Sequence, residues 1–574
     1  MKKNYLILFL ICLTIYSKQP HLNAINSLQN QEQHNYEKAL HLSTRFLGAQ
    51  RSGDTKSWIL PEGSGGAFLN DGEAVGKDLS GGWHDCGDYI KFHVTGSYAA
   101  LLYLYGFDKW PKAYPDNYSQ AYSKAPANGI PDVLDEVKIQ TDFLIKCIGD
   151  EKIYWQIGDN RDHNGFKEPI TQSSLKLYDD SAIRPVYEAT EGKSNALGAG
   201  SAALALMSIL YEPYDTEYAK ECLAAAKKYY QIASTNPSTT ADATDDSYSW
   251  LTQWSDYYDE LGTAAIMLYR ATKDKAYLNE AISLAENADQ YRNFSYGHID
   301  QLLFYELYQI TKEVKYLNKI ESKVNSLLSD MEPCGYVHLT DWGSLRDAGN
   351  AALLAALLHN ETGNIDAYNF AKSNIDFILG SHNGIDNDAP ANFSFLIGYD
   401  ELGGGYPKYP HHAAAFGKKE NGWTHFSNER DNPGSVPYAY ELSGGLAGGP
   451  EDACCCFEDN IANYVSSEYC IYYNAAFNSA LAYIHIVEES STSIDSNEKF
   501  INVQNIKAFP NPADNYLNIT LDGTANLALT DINGNTIWQS EVFRYYKLPV
   551  NSFKKGIYIL YDKNSNWSKK ISIR

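Results

Sequence analysis

The sequence predicts an all-α domain built from paired helices, followed by a small all-β sandwich. Three observations predict it. Apolar residues recur at helical spacing in about a dozen segments between residues 34 and 487. Short turns separate many neighbouring segments, which favours antiparallel helix pairs, and a toroid of such pairs needs no fixed-period repeat. Beyond residue 500 the period changes to two, as in Tyr516-Leu517-Asn518-Ile519-Thr520-Leu521 and Gly556-Ile557-Tyr558-Ile559-Leu560-Tyr561, with Asn533-Gly534 as a turn.

The chain opens with Lys2 and Lys3, a short apolar run from Tyr5 to Leu13, and polar residues up to Ala24. That is the pattern of a signal peptide over residues 1–24, too short to span a bilayer. Residues 25–487 form the helical domain. Its first helix gathers Tyr36, Leu40, Leu42, Phe46 and Leu47. Further helices are expected at 98–105, 133–147, 196–211, 217–232, 259–271, 275–288, 300–310, 316–328, 344–359, 365–379 and 468–487. Most Trp, His and Gly residues fall in the long loops between them, where a helical scaffold would carry its chemistry. Residues 488–500 turn abruptly to Ser, Thr, Glu, Asp and Asn and read as a linker. Residues 501–574 form the sandwich and contain no catalytic constellation.

The formal charge of −24 argues against nucleic acid or an anionic membrane surface as partner. No segment after the leader is long and apolar enough to be a transmembrane helix. Aromatic residues make up 13% of the chain, which suits the C–H faces of sugars and a protein core equally. Eight cysteines follow the leader, scattered and not framed as a disulfide scaffold. Adjacent Cys454, Cys455 and Cys456 lack the separated pairs of a zinc site. Pairing among these three, Cys470 and Cys86 is open in an oxidising compartment.

Two stretches carry carboxylates in suggestive places. In Gly81-Gly82-Trp83-His84-Asp85-Cys86-Gly87-Asp88, two Asp three residues apart on a glycine-flanked turn can share one water, though Asp also caps helices. From Phe457 to Ala475, Asp459, Tyr464, Glu468, Tyr473 and Asn474 sit before or on the start of the last large helix. A Glu there also has a structural reading, as a first-turn residue favoured by the helix dipole.

Taken together, these motifs resemble glycoside hydrolase family 9. The carriers are Gly-Gly-Trp-His-Asp85-Cys-Gly-Asp88, the loop Tyr406-Pro-Lys-Tyr-Pro-His411-His412, and Phe457-x-Asp459-x4-Tyr464-x3-Glu468 with Asn474-Ala475. Ala49-Gln-Arg-Ser-Gly53, Gly158-Asp159-x2-Asp162-His163, Tyr257-x-Asp259-Glu260-Leu261 and Trp342-Gly-Ser-Leu-Arg346 follow the same family in order over residues 34–487. The resemblance implies an (α/α)6 barrel and inverting hydrolysis of β-1,4-glucosidic bonds in cellulose or related glucans, by an endo-β-1,4-glucanase needing no cofactor for catalysis. Asp88 would be the general base, Asp85 would help hold the water and Glu468 would be the general acid. His163, Trp254, His411, Asp459 and Tyr473 would bind or orient the sugar. Inversion needs room for a water between base and sugar, so the carboxyls should stand roughly 6.5–9.5 Å apart. The acid must stay protonated near neutral pH, which an aromatic neighbourhood of Tyr464, Tyr472 and Tyr473 would promote by desolvation.

The chain departs from the family pattern at several points. Ala413 stands where an Arg is usual, Cys86 replaces an Ala, and Asn460 and Ile461 replace an acidic residue and an Arg. Phe166 replaces a Trp, and Cys470 stands at a small-residue position. These changes keep open an exo-acting β-glucosidase or glucosaminidase on short oligosaccharides. A catalytically silent glycan-binding protein is the other alternative, although binding alone would not require Asp85, Asp88 and Glu468 together. The resemblance also implies a structural calcium ion, with Ser255, Asp259 and Glu260 as hard oxygen donors. Asp256 departs from the pattern, and a capping cluster is the competing reading. The C-terminal module resembles the sorting domain of the type IX secretion system, through Pro510-Asn-Pro512, Asp531-Ile-Asn-Gly534, Lys555-Gly-Ile-Tyr558 and the basic end Lys569 to Arg574. With the leader, it implies a protein that is secreted or attached to the cell surface.

Overall fold

A computed structural model describes residues 34–54, 66–117, 127–240, 251, 256–289, 291–416, 438–492, 506–532, 534–563 and 567–574. The leader, Trp254 and Ser255 lie outside the described residues, as does the part of the linker from residue 493 to 500.

Twelve helices of ten residues or more are present among the described residues. In chain order they are α1 (Tyr36–Arg45), α2 (His93–Lys109), α3 (Asp132–Lys146), α4 (Ser194–Leu210), α5 (Thr216–Ala233) and α6 (Tyr258–Thr272). Then follow α7 (Lys275–Leu284), α8 (Asp300–Thr311), α9 (Val314–Ser329), α10 (Ser344–Thr362), α11 (Ile365–Ile378) and α12 (Ile471–Thr492). Burial divides them into two classes. In α2, α4 and α12 the first fourteen or more residues are all buried, a pattern of helices covered on every side. Helices α6, α8 and α10 are buried almost as completely. By contrast α5, α9 and α11 bury a single stripe and turn charged residues outward.

The covered helices form the inner layer. α12 packs on α2, α2 on α4, α4 on α6, α6 on α8, and α10 on α12. Glu361 of α10 completes the circuit by accepting hydrogen bonds from Tyr305 (3.2 Å) and Gln309 (2.6 Å) of α8. Apolar residues at helical spacing specify these elements, as a single stripe in the outer helices and around the whole circumference in the inner ones.

Two expectations are corrected. The last large helix begins at Ile471, so Glu468 lies outside it in extended conformation (φ −78°, ψ 151°), and it runs to Thr492 into the expected linker. The first-turn reading of Glu468 therefore falls. Likewise Phe92, not Asp85 or Asp88, occupies the cap position of α2. A three-stranded antiparallel sheet, β1 (Lys91–Phe92), β2 (Ile153–Ile157) and β3 (Val186–Ala189), was not expected in the helical domain. Its strands are two to five residues long, too short to show a period.

The C-terminal strands are β4 (Lys507–Phe509), β5 (Tyr516–Asp531), β6 (Thr536–Pro549), β7 (Gly556–Asp562) and β8 (Ser568–Ile573). The expected sandwich is one continuous antiparallel sheet, with a register break between Thr520 and Thr524 of β5. Its parts share a single apolar core that includes Ala508, Leu517, Ile519, Leu560 and Ile571, separate from the helical core.

Candidate active site

The turn after Trp83 is irregular, so its shape comes from contacts with other segments. The Asp85 N–H donates to the Ile90 carbonyl at 3.0 Å, and the Asp85 carbonyl accepts the Ile471 N–H at 3.0 Å. The Gly87 carbonyl accepts from Ala413 N–H at 2.8 Å. A side chain at Gly87 would bring a Cβ to 2.5 Å from the His411 carbonyl, so glycine permits this close approach. The third segment closes the set: His411 N–H donates to Ser467 at 2.7 Å. Three loops spread over 384 positions of sequence thus meet around one point, and they bring Asp85, Asp88, His411 and Glu468 together.

A disulfide ties two of them covalently. Cys86 of the first loop is bonded to Cys470, two residues after Glu468. The second disulfide joins Cys334 to Cys454, leaving Cys147, Cys222, Cys455 and Cys456 as free thiols among the described residues. Cys334 lies outside the set of cysteines whose pairing the sequence leaves open.

The carboxyls differ in environment. Asp85 is buried and accepts a hydrogen bond from the Thr95 hydroxyl. Burial pushes its pKa well above the usual carboxylate range; Thr95 opposes this, while Asp88 and Glu468 add to it. Asp88 Oδ2 stands 3.0 Å from His163 Nδ1, and Asp88 Oδ1 accepts the Ile90 N–H at 3.2 Å. Glu468 is pushed up to about 7, first by burial and further by Asp88. Trp342, whose Nε1 donates to Glu468 Oε2 at 3.1 Å, pulls the other way, as do Tyr473 and Arg346. Tyr473 reaches toward Glu468 without closing a hydrogen bond of standard geometry. At Gly343, with φ of 71°, an added Cβ would lie 2.8 Å from the Tyr473 hydroxyl, so the turn after Trp342 also needs glycine.

The remaining expected residues fall around this centre. His411 faces Phe166 at 5.1 Å and Tyr464 at 5.9 Å between ring centres, and its Nδ1 bonds the Ile461 carbonyl at 2.7 Å. Burial pushes its pKa down to about 4, keeping it neutral. Both oxygens of Asp459 accept backbone N–H groups, from Lys408 (2.6 Å) and Tyr409 (2.9 Å), so Asp459 holds the loop that presents His411. Ala413 is fully buried with Phe166, Phe416 and Ile461 in an apolar cluster. Nothing in the sequence places Thr95 at the site, and for Trp342 and Arg346 the signal is their position within a recognisable motif.

A second acidic cluster lies at the start of α6. Asp259, His298 and Asp300 can each aim one ligand atom into a sphere with mutual distances under 4.8 Å. Asp259 Oδ1, Asp300 Oδ2 and both oxygens of Glu260 are buried without a hydrogen-bond partner. Burial, together with the neighbouring negative charges, raises the pKa of all three carboxyls, that of Asp300 to about 9. So many unpartnered buried oxygens fit a hard cation. Asp256 is engaged instead with Arg292. Asp300 had not been singled out from the sequence.

Residues 36–481 match the family described as Glycosyl hydrolase family 9. The chain belongs to this family. As a family 9 hydrolase it carries a second match at residues 507–574, to a secretion system C-terminal sorting domain. Among its relatives, Endoglucanase A of Bacillus pumilus is 30% identical over 479 residues, which cover 78% of this chain and 66% of the relative. Endoglucanase 24 of Oryza sativa subsp. japonica is 27% identical over 484 residues, 76% of this chain and 85% of the relative. Among solved structures, the cellulase Cel9M of C. cellulolyticum in complex with cellobiose superposes with a TM-score of 0.67 at 27% identity, covering 79% of this chain and 99% of that one. The family 9 chain spans about two thirds of the length of the first of these relatives. No described helix is long and apolar enough to cross a membrane.

Proposed function

We propose that this family 9 hydrolase is a secreted, inverting endo-β-1,4-glucanase acting on cellulose or related β-glucans through an (α/α)6 barrel. The observation that carries this reading is the opposition of Asp88, tied to His163, and a Glu468 whose pKa stands near 7. Glu468 keeps a proton to give to the leaving glycosidic oxygen. Asp88, oriented by His163 and by the Ile90 N–H, takes a proton from the attacking water. Asp85, driven toward its neutral form, offers a hydrogen-bond donor to that water. The names of the endoglucanase relatives and of the cellobiose-bound cellulase support a β-glucan as substrate.

The Asp259, Glu260 and Asp300 carboxylates would hold a structural calcium ion, whose charge would offset most of theirs and tie the start of α6 to the start of α8. Export would follow from the C-terminal sorting domain through a type IX secretion system.

The test is hydrolysis of soluble and crystalline β-glucans and chitosan oligomers, with product lengths and anomers read by chromatography and NMR. Rapid viscosity loss, mixed oligomers and newly formed α-anomers are expected. Monomer or dimer alone from the first minutes would favour the exo-acting reading, and β-anomers would exclude inversion.

A further inference from the structure

The Cys86–Cys470 disulfide occupies a place that the reaction itself does not explain. It joins residues 384 positions apart, and each cysteine is two residues from a reacting carboxyl: Cys86 from Asp88, Cys470 from Glu468. The bond is therefore the shortest covalent path between proposed base and proposed acid. Its sulfurs also line the site. The Cys86 sulfur lies 3.3 Å from Asp85 Oδ2 and 3.7 Å from the Tyr472 hydroxyl. Both sulfurs and a Glu468 oxygen fall within 4.8 Å of one another.

The turn it anchors is buried and bonded to its surroundings through His84 N–H to the Gln50 carbonyl (2.7 Å) and Arg184 Nη1 to the Tyr89 carbonyl (2.6 Å), but few of its bonds run toward the acid. Residues 84–90 form no helix or strand. Among the described residues, its direct backbone hydrogen bonds to the acid and histidine loops are Ile471 N–H to Asp85 and Ala413 N–H to Gly87, with Gln50 bridging the Cys86 carbonyl to His412. One backbone hydrogen bond contributes about 1 kcal/mol net, too little to hold a turn rigid against thermal opening. A misplacement of about 1 Å between reacting groups can cost on the order of 100-fold in rate.

We propose that Cys86 and Cys470 are positioning residues, whose disulfide forms the floor between Asp85 and Glu468 and fixes the separation of the base-bearing turn from the acid. This rests on Asp88 and Glu468 being the base and acid. The disulfide brings no charge and no N–H or O–H donor to this floor. Its removal would admit water beneath Glu468, lower the desolvation that favours the neutral acid and move the loss of activity to lower pH.

The experiment is steady-state kinetics of Cys86→Ala/Cys470→Ala against the unaltered full-length protein on a soluble β-glucan, across pH 4–9, with thermal melting in parallel. We expect kcat to fall about 10- to 100-fold with KM changed less than about 3-fold, and the alkaline limb to move down by about half a unit or more. Unchanged kcat and an unchanged limb would overturn the proposal, as would a KM effect alone. An unaltered protein without glucanase activity would instead overturn the functional reading, so the two failures are distinct.

Should the double variant misfold, the bond can be opened after folding. In a Cys334→Ala/Cys454→Ala background, a trialkylphosphine supplies two electrons to the Cys86–Cys470 bond. The sulfurs become two thiols, and phosphorus leaves as the phosphine oxide with its oxygen from water. Alkylation and mass spectrometry confirm that Cys86 is reduced. Activity that falls with reduction and returns on reoxidation supports the role; full activity with both thiols alkylation-competent overturns it.

Discussion

Trp342 donates its indole N–H to Glu468 across 126 positions of sequence, at 3.1 Å, from a ring that is 43% exposed. The proposed acid is thus touched by a donor that faces solvent and favours its charged form. Burial and the charge of Asp88 prevail, and the pKa stays near 7.

Removing that donor should shift the balance further. Trp342→Phe keeps an aromatic face but donates no hydrogen bond. A hydrogen bond to a charged group contributes about 1.5–3 kcal/mol when buried, less at an exposed site. The Glu468 pKa should therefore rise by up to about one unit. A pH–rate profile should show the alkaline limb moving upward; a downward shift would contradict the role given to Trp342.

Glu468 also sets the pH dependence of the unaltered protein. Because its folded pKa of about 7 exceeds the ordinary carboxylate value of 4.5, the folded state holds the extra proton between these values. Stability from this group is full below about 4.5 and is lost as pH rises through 7. Activity should fall over the same upper range as the proton needed by the leaving group is lost. Glu468→Gln should lower kcat by about 100- to 10,000-fold, leave oligosaccharide binding intact by calorimetry, and remove this dependence of stability on pH.

Asp88→Asn should remove the base while keeping a side chain of the same shape beside His163. A loss of kcat of about 100- to 10,000-fold is expected, with KM little changed. If azide restores turnover with the α-glycosyl azide as product, the missing group acted as a base on the face opposite the leaving group. Restored turnover without inverted stereochemistry of attack would point elsewhere.

Calcium should stabilise the fold measurably. At a concentration of about 100 times Kd, a ligand bound only by the folded state adds about 2.7 kcal/mol. Chelation should lower the melting temperature by several degrees, and added Ca2+ should restore it. Asp300→Asn should remove that response. A melting temperature indifferent to both treatments would leave the cluster of buried oxygens to protons alone.

The two apolar cores are separate, so removing residues 501–574 should leave the helical domain folded and hydrolytically active. Export from the native host should be lost, which fractionation with an activity assay would read. Loss of activity in the purified truncated protein would show that the C-terminal sheet supports the helical domain.

The helices are legible because apolar residues recur along each of them, as a stripe in the outer helices and all round in the inner ones, a local property that survives without knowledge of the partner. The alternation in β5 and β7 was readable for the same reason, whereas β1 to β3 were too short to display a period and form only because their partners are present. Asp85, Asp88, Glu468 and His411 stood out as residue types at telling spacings, within motifs that repeat across a family.

What the sequence by itself determined is the set of elements and the chemistry available to them. The tertiary structure alone decided that Glu468 lies before its helix, that Trp342 reaches it, that Asp300 completes the acidic cluster, and that Cys86 chooses Cys470 among eight cysteines. The physical reason is that periodicity and capping act over a few residues, while burial, charge coupling and disulfide pairing depend on which distant segments share a space.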